Sequence, residues 1–317
     1  MMDRWVRALR GPKTPLSAWK PIRVLHEQER RPGGGVIEAA TVFLAGAECP
    51  FSCVFCDLWQ QTLVGSTPRA SLPRQLELAL EGVAHRSLVK LYNASNFFDP
   101  AAVPGADEDA LLELLRGFES VTVECHPRFV GDRCLAFADR LDGALEVAIG
   151  LETVHPDALP RLNKKMTLAD FDACAARLRN RQIGLRAFVL LGCPFIAASD
   201  QLEWTLRSVD HAARCGASTI SIIPVRGGNG ALESLATEGS WAPVCLDLVE
   251  EVLERALRLD LAEAVVQVDL WDIERLAGCR ECAGARRARL DAMNRCADVA
   301  PRIRCSHCSG GATCGPL

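Results

Sequence analysis

The sequence predicts an α/β fold, a partial (β/α)6 TIM-type barrel with an N-terminal arm and a cysteine-rich C-terminal extension. From residue 39 onward, short runs rich in β-formers alternate six times with longer runs of helical period, the pattern of βα units around a parallel sheet. The 317 residues are 49% hydrophobic, enough for one large core. A Rossmann-type open sheet would need a glycine-rich turn after its first strand, and the segment there is Gly46-Ala47-Glu48-Cys49-Pro50-Phe51-Ser52-Cys53 instead.

Strands are expected at 39–45, 88–93, 121–125, 145–151, 185–191 and 219–224, and helices at 73–85, 107–118, 131–140, 168–181, 200–215 and 244–259. Thr167 with Asp170, and Ser199 with Glu203 in the first turn, are start signals for two of these helices. Three regions follow: a basic arm over 1–38, the barrel over 39–260 and the extension over 261–317.

Net charge is −4, which speaks against coating nucleic acid through bulk electrostatics. Residues 1–35 nevertheless hold eight Lys/Arg against Asp3, Glu27 and Glu29. This reads as a solvated, partly ordered arm or as a contact to a phosphate-bearing substrate. No apolar run approaches the roughly 18–20 residues of a membrane span and no secretory stretch opens the chain, so no membrane partner and a cytoplasmic location are expected.

The fifteen cysteines are unevenly spread, and in a reducing compartment clustered thiols point to metal or catalysis rather than disulfides. Cys49-x3-Cys53-x2-Cys56 follows the first strand, where a barrel gathers its functional loops. Three thiolates can hold three irons of a [4Fe-4S] cube and leave the fourth open. A closed zinc knuckle would need a fourth Cys or His, and none follows within the next twenty-five residues. In the extension, Cys279-x2-Cys282 and Cys305-x2-Cys308 fit a four-cysteine zinc site or an auxiliary iron–sulfur cluster equally well, with Cys296, His307 and Cys314 as spare ligands. Between the pairs, residues 286–294 read as a short basic helix.

The first cysteine group, with Phe55 just before its last member, resembles the hallmark of the radical S-adenosylmethionine superfamily. The resemblance runs along the barrel and is greatest to the branch of the archaeosine-synthase radical subunit, the Elongator catalytic subunit and the tRNA methylthiotransferases. It implies two cofactors, a [4Fe-4S] cluster on Cys49, Cys53 and Cys56 and S-adenosylmethionine on its open iron. The family's glycine-rich motif corresponds to 93–100, where both glycines are absent and Asp99 is a candidate for the acidic place, so backbone carbonyls and the Ser95 or Asn96 side chain are expected to receive the methionine amine, with Asn93 also at the cofactor. Glu152 is expected at the cofactor ribose, or else as a cap of the following helix or a partner of Lys164; Lys164 and Arg186 are expected at the cofactor carboxylate, Arg186 alternatively in an outward ion pair, and Phe55 beside the cofactor.

The implied reaction is one-electron cleavage of S-adenosylmethionine to a 5′-deoxyadenosyl radical, which abstracts hydrogen from substrate. The electron would come from a donor such as flavodoxin or ferredoxin, and the substrate would be a small molecule, a nucleoside or RNA, or a peptide. Cys125 and Cys193, at strand ends, are candidates for returning a hydrogen atom to a product radical, with buried packing as the alternative. Two other functions stay open: sulfur insertion or methylthiolation through an auxiliary cluster, and a non-enzymatic zinc module that binds nucleic acid or protein.

Overall fold

The computed structural model describes residues 2–308. One sheet carries eight strands in chain order: β1 (Arg23–Arg30), β2 (Val36–Phe43), β3 (Leu88–Tyr92), β4 (Ser120–Glu124), β5 (Ala144–Glu152), β6 (Gly184–Leu191), β7 (Thr219–Pro224) and β8 (Val265–Val268). Strands β2 to β8 are parallel, and β1 joins β2 antiparallel. The result is a curled, open half-barrel. Among the described residues ten α-helices accompany it: α1 (Met2–Ala8), α2 (Ser71–Leu80), α3 (Glu108–Leu114), α4 (Asp132–Arg140), α5 (Ala158–Arg161), α6 (Leu168–Asn180), α7 (Gln201–Arg214), α8 (Ala231–Thr237), α9 (Leu246–Ala256) and α10 (Arg280–Cys296). The capping box expected at Thr167 and Asp170 opens α6, reciprocal side-chain bonds satisfying two of its first backbone donors. Among the described residues no helix is long and apolar enough to cross a membrane.

The six expected strands are β2 to β7; the two edge strands, β1 and β8, are additions. Segment 23–30 carries few apolar residues, because Glu27 and Glu29 occupy the positions where an ordinary strand would bury aliphatic side chains. Both carboxylates meet Lys90 of β3, at 3.0 and 2.8 Å, and Glu29 also pairs with Arg186 of β6. Arg186 Nε donates to Glu146 of β5 at 2.8 Å. A buried ion network thus floors the half-barrel and ties the first hairpin to β3, β5 and β6.

The extension closes the opening between the two edges. Helix α10 packs on both β1 and β8. Asn294 on α10 accepts from the Val268 N–H at 2.9 Å and donates to the Val268 carbonyl at 2.8 Å, which covers the exposed edge of β8 as another strand would. Two arginines of the expected basic helix, Arg286 and Arg289, are internal here. Arg286 pairs with Asp247 and Glu250 of α9, and Arg289 with Glu250 and Glu254.

Candidate functional site

The three-cysteine loop leaves the C-terminal end of β2 and is held by neighbours from four directions. Asn229, after β7, donates to the Val54 carbonyl at 2.9 Å, and Asn163, after β5, donates to the Ser52 carbonyl at 2.7 Å. Arg7 of α1 donates to Ser52 Oγ at 3.0 Å, and the Val54 N–H donates to the Leu162 carbonyl. The ring of Phe51 stacks 4.1 Å from that of His126, beyond β4. Asn96 closes the circuit by accepting from the His126 N–H and donating to Cys49 Sγ at 3.4 Å. His126 Nε2–H donates to the Lys164 carbonyl while Nδ1 accepts from the Arg128 N–H, so the ring is a neutral Nε2–H tautomer. Burial and the Lys164 charge bring its pKa down to about 4.

Cys49, Cys53 and Cys56 are partly buried and close enough to disfavour one another's ionisation. Burial, the largest influence, pushes Cys53 up to about 12, against the pull of Lys164. Glu152 ends β5 at φ +67° and accepts from Lys164 Nζ at 2.6 Å, both side chains buried. Gly150 makes room for that pair: a Cβ there would lie 2.5 Å from Lys164 Nζ and closer still to Glu152 Oε1. The pair stands beside the cysteine loop, where both charges act on Cys53, and its pairing is the alternative reading of Glu152.

Asn93 and Ser95 are also buried here. Asn93 Nδ2 and Oδ1 and Ser95 Oγ have no hydrogen-bond partner among the described residues, a costly state for buried polar atoms. Their backbone is anchored by a residue that the sequence reading missed. Glu124, at the end of β4, accepts from the Asn93 N–H at 2.7 Å. Burial pushes its carboxyl up to about 7 against the N–H groups of Asn93, Ala94 and Ser95. Its signal was its position, a carboxylate at the end of a barrel strand. Asp99 is occupied in its own turn, accepting from the Ala101 N–H. Phe55 is half-buried against the core.

Three expectations meet different surroundings. Arg186 is the third residue of strand β6, on the ion-pair floor, with its guanidinium committed to Glu29 and Glu146. That is away from the cysteine loop, and the carboxylate clamp is corrected to an internal ion pair. Cys125 is buried with Cys134 of α4 and Cys174 of α6 as its thiol neighbours, and Cys193 is buried with Sγ–H directed at the Pro194 carbonyl. Both thiols have the packed surroundings that were the alternative reading.

Helix α1 crosses the mouth beside the cysteine loop. Arg10 and Lys13 pair with Glu48 at 2.6 and 2.7 Å, and Arg10 lies over the Trp59 ring. With Arg7 and Cys49 these residues line a cavity of about 550 Å³. Part of the basic arm, Arg7, Arg10 and Lys13, thus forms an ordered wall of the mouth.

In the extension, the Sγ atoms of Cys279, Cys282, Cys305 and Cys308 all lie within 4.8 Å of one another. Cys279 meets Cys305 at 3.9 Å, and Cys282 meets Cys308 at 3.6 Å. Backbone N–H groups of His307 and Cys308 hold the Cys305 thiol down at about 6. Cys296 is exposed at the end of α10 and outside this group; Cys314 lies outside the described residues.

No family model matches the chain. Archaeosine synthase subunit beta of Methanosarcina acetivorans is 30% identical over 179 residues, 53% of this chain and 51% of that protein. Over those residues the chain is similar in sequence to that archaeosine synthase subunit. It spans about half the length of that archaeosine synthase subunit. An uncharacterised protein of Methanocaldococcus jannaschii is 21% identical over 251 residues, 74% of this chain and 69% of that one. Among solved structures, Elp3 of Methanocaldococcus infernus, lacking its N-terminus, aligns over 69% of this chain and 57% of its own, at 11% identity and a TM-score of 0.47.

Proposed function

We propose that the protein is a radical S-adenosylmethionine enzyme whose Cys49, Cys53 and Cys56 hold a [4Fe-4S] cluster. The observation that carries this reading is the set of unsatisfied buried polar atoms on Asn93 and Ser95, in the segment that Asn96 joins to Cys49. They suit the ammonium and carboxylate of a methionine moiety, which would supply the missing partners. Glu152 and Lys164 would meet ribose and carboxylate. The loop thiols fit a cluster better than a single ion. Two thiolates on one zinc, each about 2.3 Å from it, lie at most about 4.6 Å apart. Among the described residues, Cys49, Cys53 and Cys56 do not form a group whose ligand atoms are all within 4.8 Å of one another.

Bound there, the cluster would deliver the electron that cleaves S-adenosylmethionine and yields the hydrogen-abstracting 5′-deoxyadenosyl radical. This chain's share is to hold the loop, to exclude water from the Glu152–Lys164 pair and to admit substrate past α1. A flavodoxin- or ferredoxin-like donor would supply the electron. A modified nucleoside in RNA is the favoured substrate. The similarity to an archaeosine synthase subunit and the cationic mouth of Arg7, Arg10 and Lys13 support it.

At the C-terminal site the same arithmetic favours one tetrahedral ion. Four thiolates about 2.3 Å from zinc stand about 3.8 Å apart, close to the 3.9 and 3.6 Å of the two pairs. Zinc here would be a folding staple, which weakens the case for sulfur insertion.

The test is anaerobic purification and reconstitution, with iron, sulfide and zinc measured together with reductive formation of 5′-deoxyadenosine, in wild type and Cys53→Ala. About four irons and 5′-deoxyadenosine formation, both lost in Cys53→Ala, are the expected result. Zinc without iron, and no cleavage, would leave only a binding module.

A further inference from the structure

A second group of metal-ligand types sits on the helical layer, away from the cysteine loop and the extension. His211 and Cys215 are four residues apart at the end of α7, the spacing that puts two ligands on one face of a helix. Asp172 reaches them from α6. His211 Nε2 lies 2.7 Å from Asp172 Oδ1, Cys215 Sγ lies 3.4 Å from the same oxygen, and Sγ and Nε2 are 3.5 Å apart.

Hydrogen bonding accounts for only part of this triangle. Asp172 Oδ1 can accept from both Nε2–H and Sγ–H, and with both protons so used the Sγ···Nε2 contact has none. A tetrahedral zinc accounts for all three atoms. With Zn–S about 2.3 Å and Zn–N and Zn–O about 2.1 Å, the S···N and S···O edges are each about 3.6 Å and the N···O edge about 3.4 Å. Two edges are within about 0.2 Å of these lengths, and the third opens by about 0.7 Å when the ion replaces the His211–Asp172 hydrogen bond. Carboxylate and thiolate together balance the charge of a divalent ion, and imidazole with thiolate suits zinc over magnesium or calcium.

The geometry points to a zinc site formed by Asp172, His211 and Cys215, with a fourth position open to solvent. Asp172 and His211 are partly exposed, so an ion can enter without opening the core. The site clips α6 to the end of α7, the two helices that flank β6.

The test is equilibrium dialysis of the full-length reconstituted protein against micromolar zinc, with zinc and iron counted per chain. Cys215→Ala, His211→Ala and Asp172→Asn are each expected to bind one zinc fewer than wild type, with iron unchanged. Asp172→Asn is nearly isosteric and keeps an oxygen acceptor for His211, so it separates loss of the ligand from loss of the fold if either other variant fails to fold. Equal zinc in wild type and Asp172→Asn, with circular dichroism unchanged, would overturn the proposal.

Discussion

Glu152 and Lys164 show how a buried charge depends on its partner. A buried lysine beside its carboxylate is tolerable, whereas the same lysine alone is an uncompensated charge in a medium that solvates it poorly. Glu152→Gln is therefore expected to cost about 3–5 kcal/mol, read as a lower urea midpoint with unchanged slope. Gly150→Ala should cost less, about 1–3 kcal/mol, because its new methyl displaces flexible side-chain ends rather than backbone. An unchanged urea midpoint in Glu152→Gln would mean that the pair is solvated after all. Asn93 and Ser95 differ in kind, since their side chains bond nothing among the described residues and Ala there should barely change stability. If they receive S-adenosylmethionine, Asn93→Ala should instead weaken its binding by tenfold or more, measured by equilibrium binding to the reconstituted protein.

At the scale of elements, β1 and α10 are attached by charge as much as by apolar contact. Burial, the largest influence on Glu29, pushes its carboxyl up, but Arg186 and Lys90 together outweigh it and bring the folded value to about 2, against an ordinary 4.5. The sign follows directly: a depressed carboxylate stabilises the fold above pH 4.5, and that stability is lost as pH falls toward 2. The contribution is about 3 kcal/mol. Wild type should lose stability steeply across this range, while Glu29→Gln starts lower and shows a flatter acid limb in urea titrations at successive pH values. A parallel pH dependence in the two proteins would place the acid sensitivity elsewhere. Glu250 plays the matching part at α10, where it meets both Arg286 and Arg289. Glu250→Gln should loosen the helix that covers the β8 edge, seen as faster amide exchange at Val268.

At the scale of the molecule, the half-barrel is open where an eight-fold barrel would close on itself, and three devices manage the gap. Helix α10 lies against both edges, Arg23 of β1 sits over Trp271 beyond β8, and the four-cysteine group gathers the chain that follows α10 back toward its start. Metal at that group should therefore act on the stability of the whole sheet. Cys282→Ser, or stripping zinc with a chelator, is expected to lower the thermal midpoint while iron at the first cysteine loop is retained. Loss of both metals together, without unfolding, would show that the two sites are not separate.

The sequence by itself determined the six central βα units and the two cysteine groups, because both are written in local spacing. Period 2 and period 3.6 runs of apolar residues survive without knowledge of partners, and Cys-x3-Cys-x2-Cys or paired Cys-x2-Cys has few uses other than metal. What only the tertiary structure decided are features whose partners are distant in the chain. Glu27 and Glu29 look like surface residues until Lys90 and Arg186 are beside them, so β1 was unreadable and Arg186 was assigned to a cofactor instead of to a strand 157 residues away. The arginines of α10 look solvent-facing until Glu250 and Glu254 are found against them. Asn163 and Asn229 act by bonding backbone on other loops, which leaves no trace in local pattern. The physical reason is common to all of these: burial of a charge or amide is permitted by its partner, and the partner is chosen by the fold.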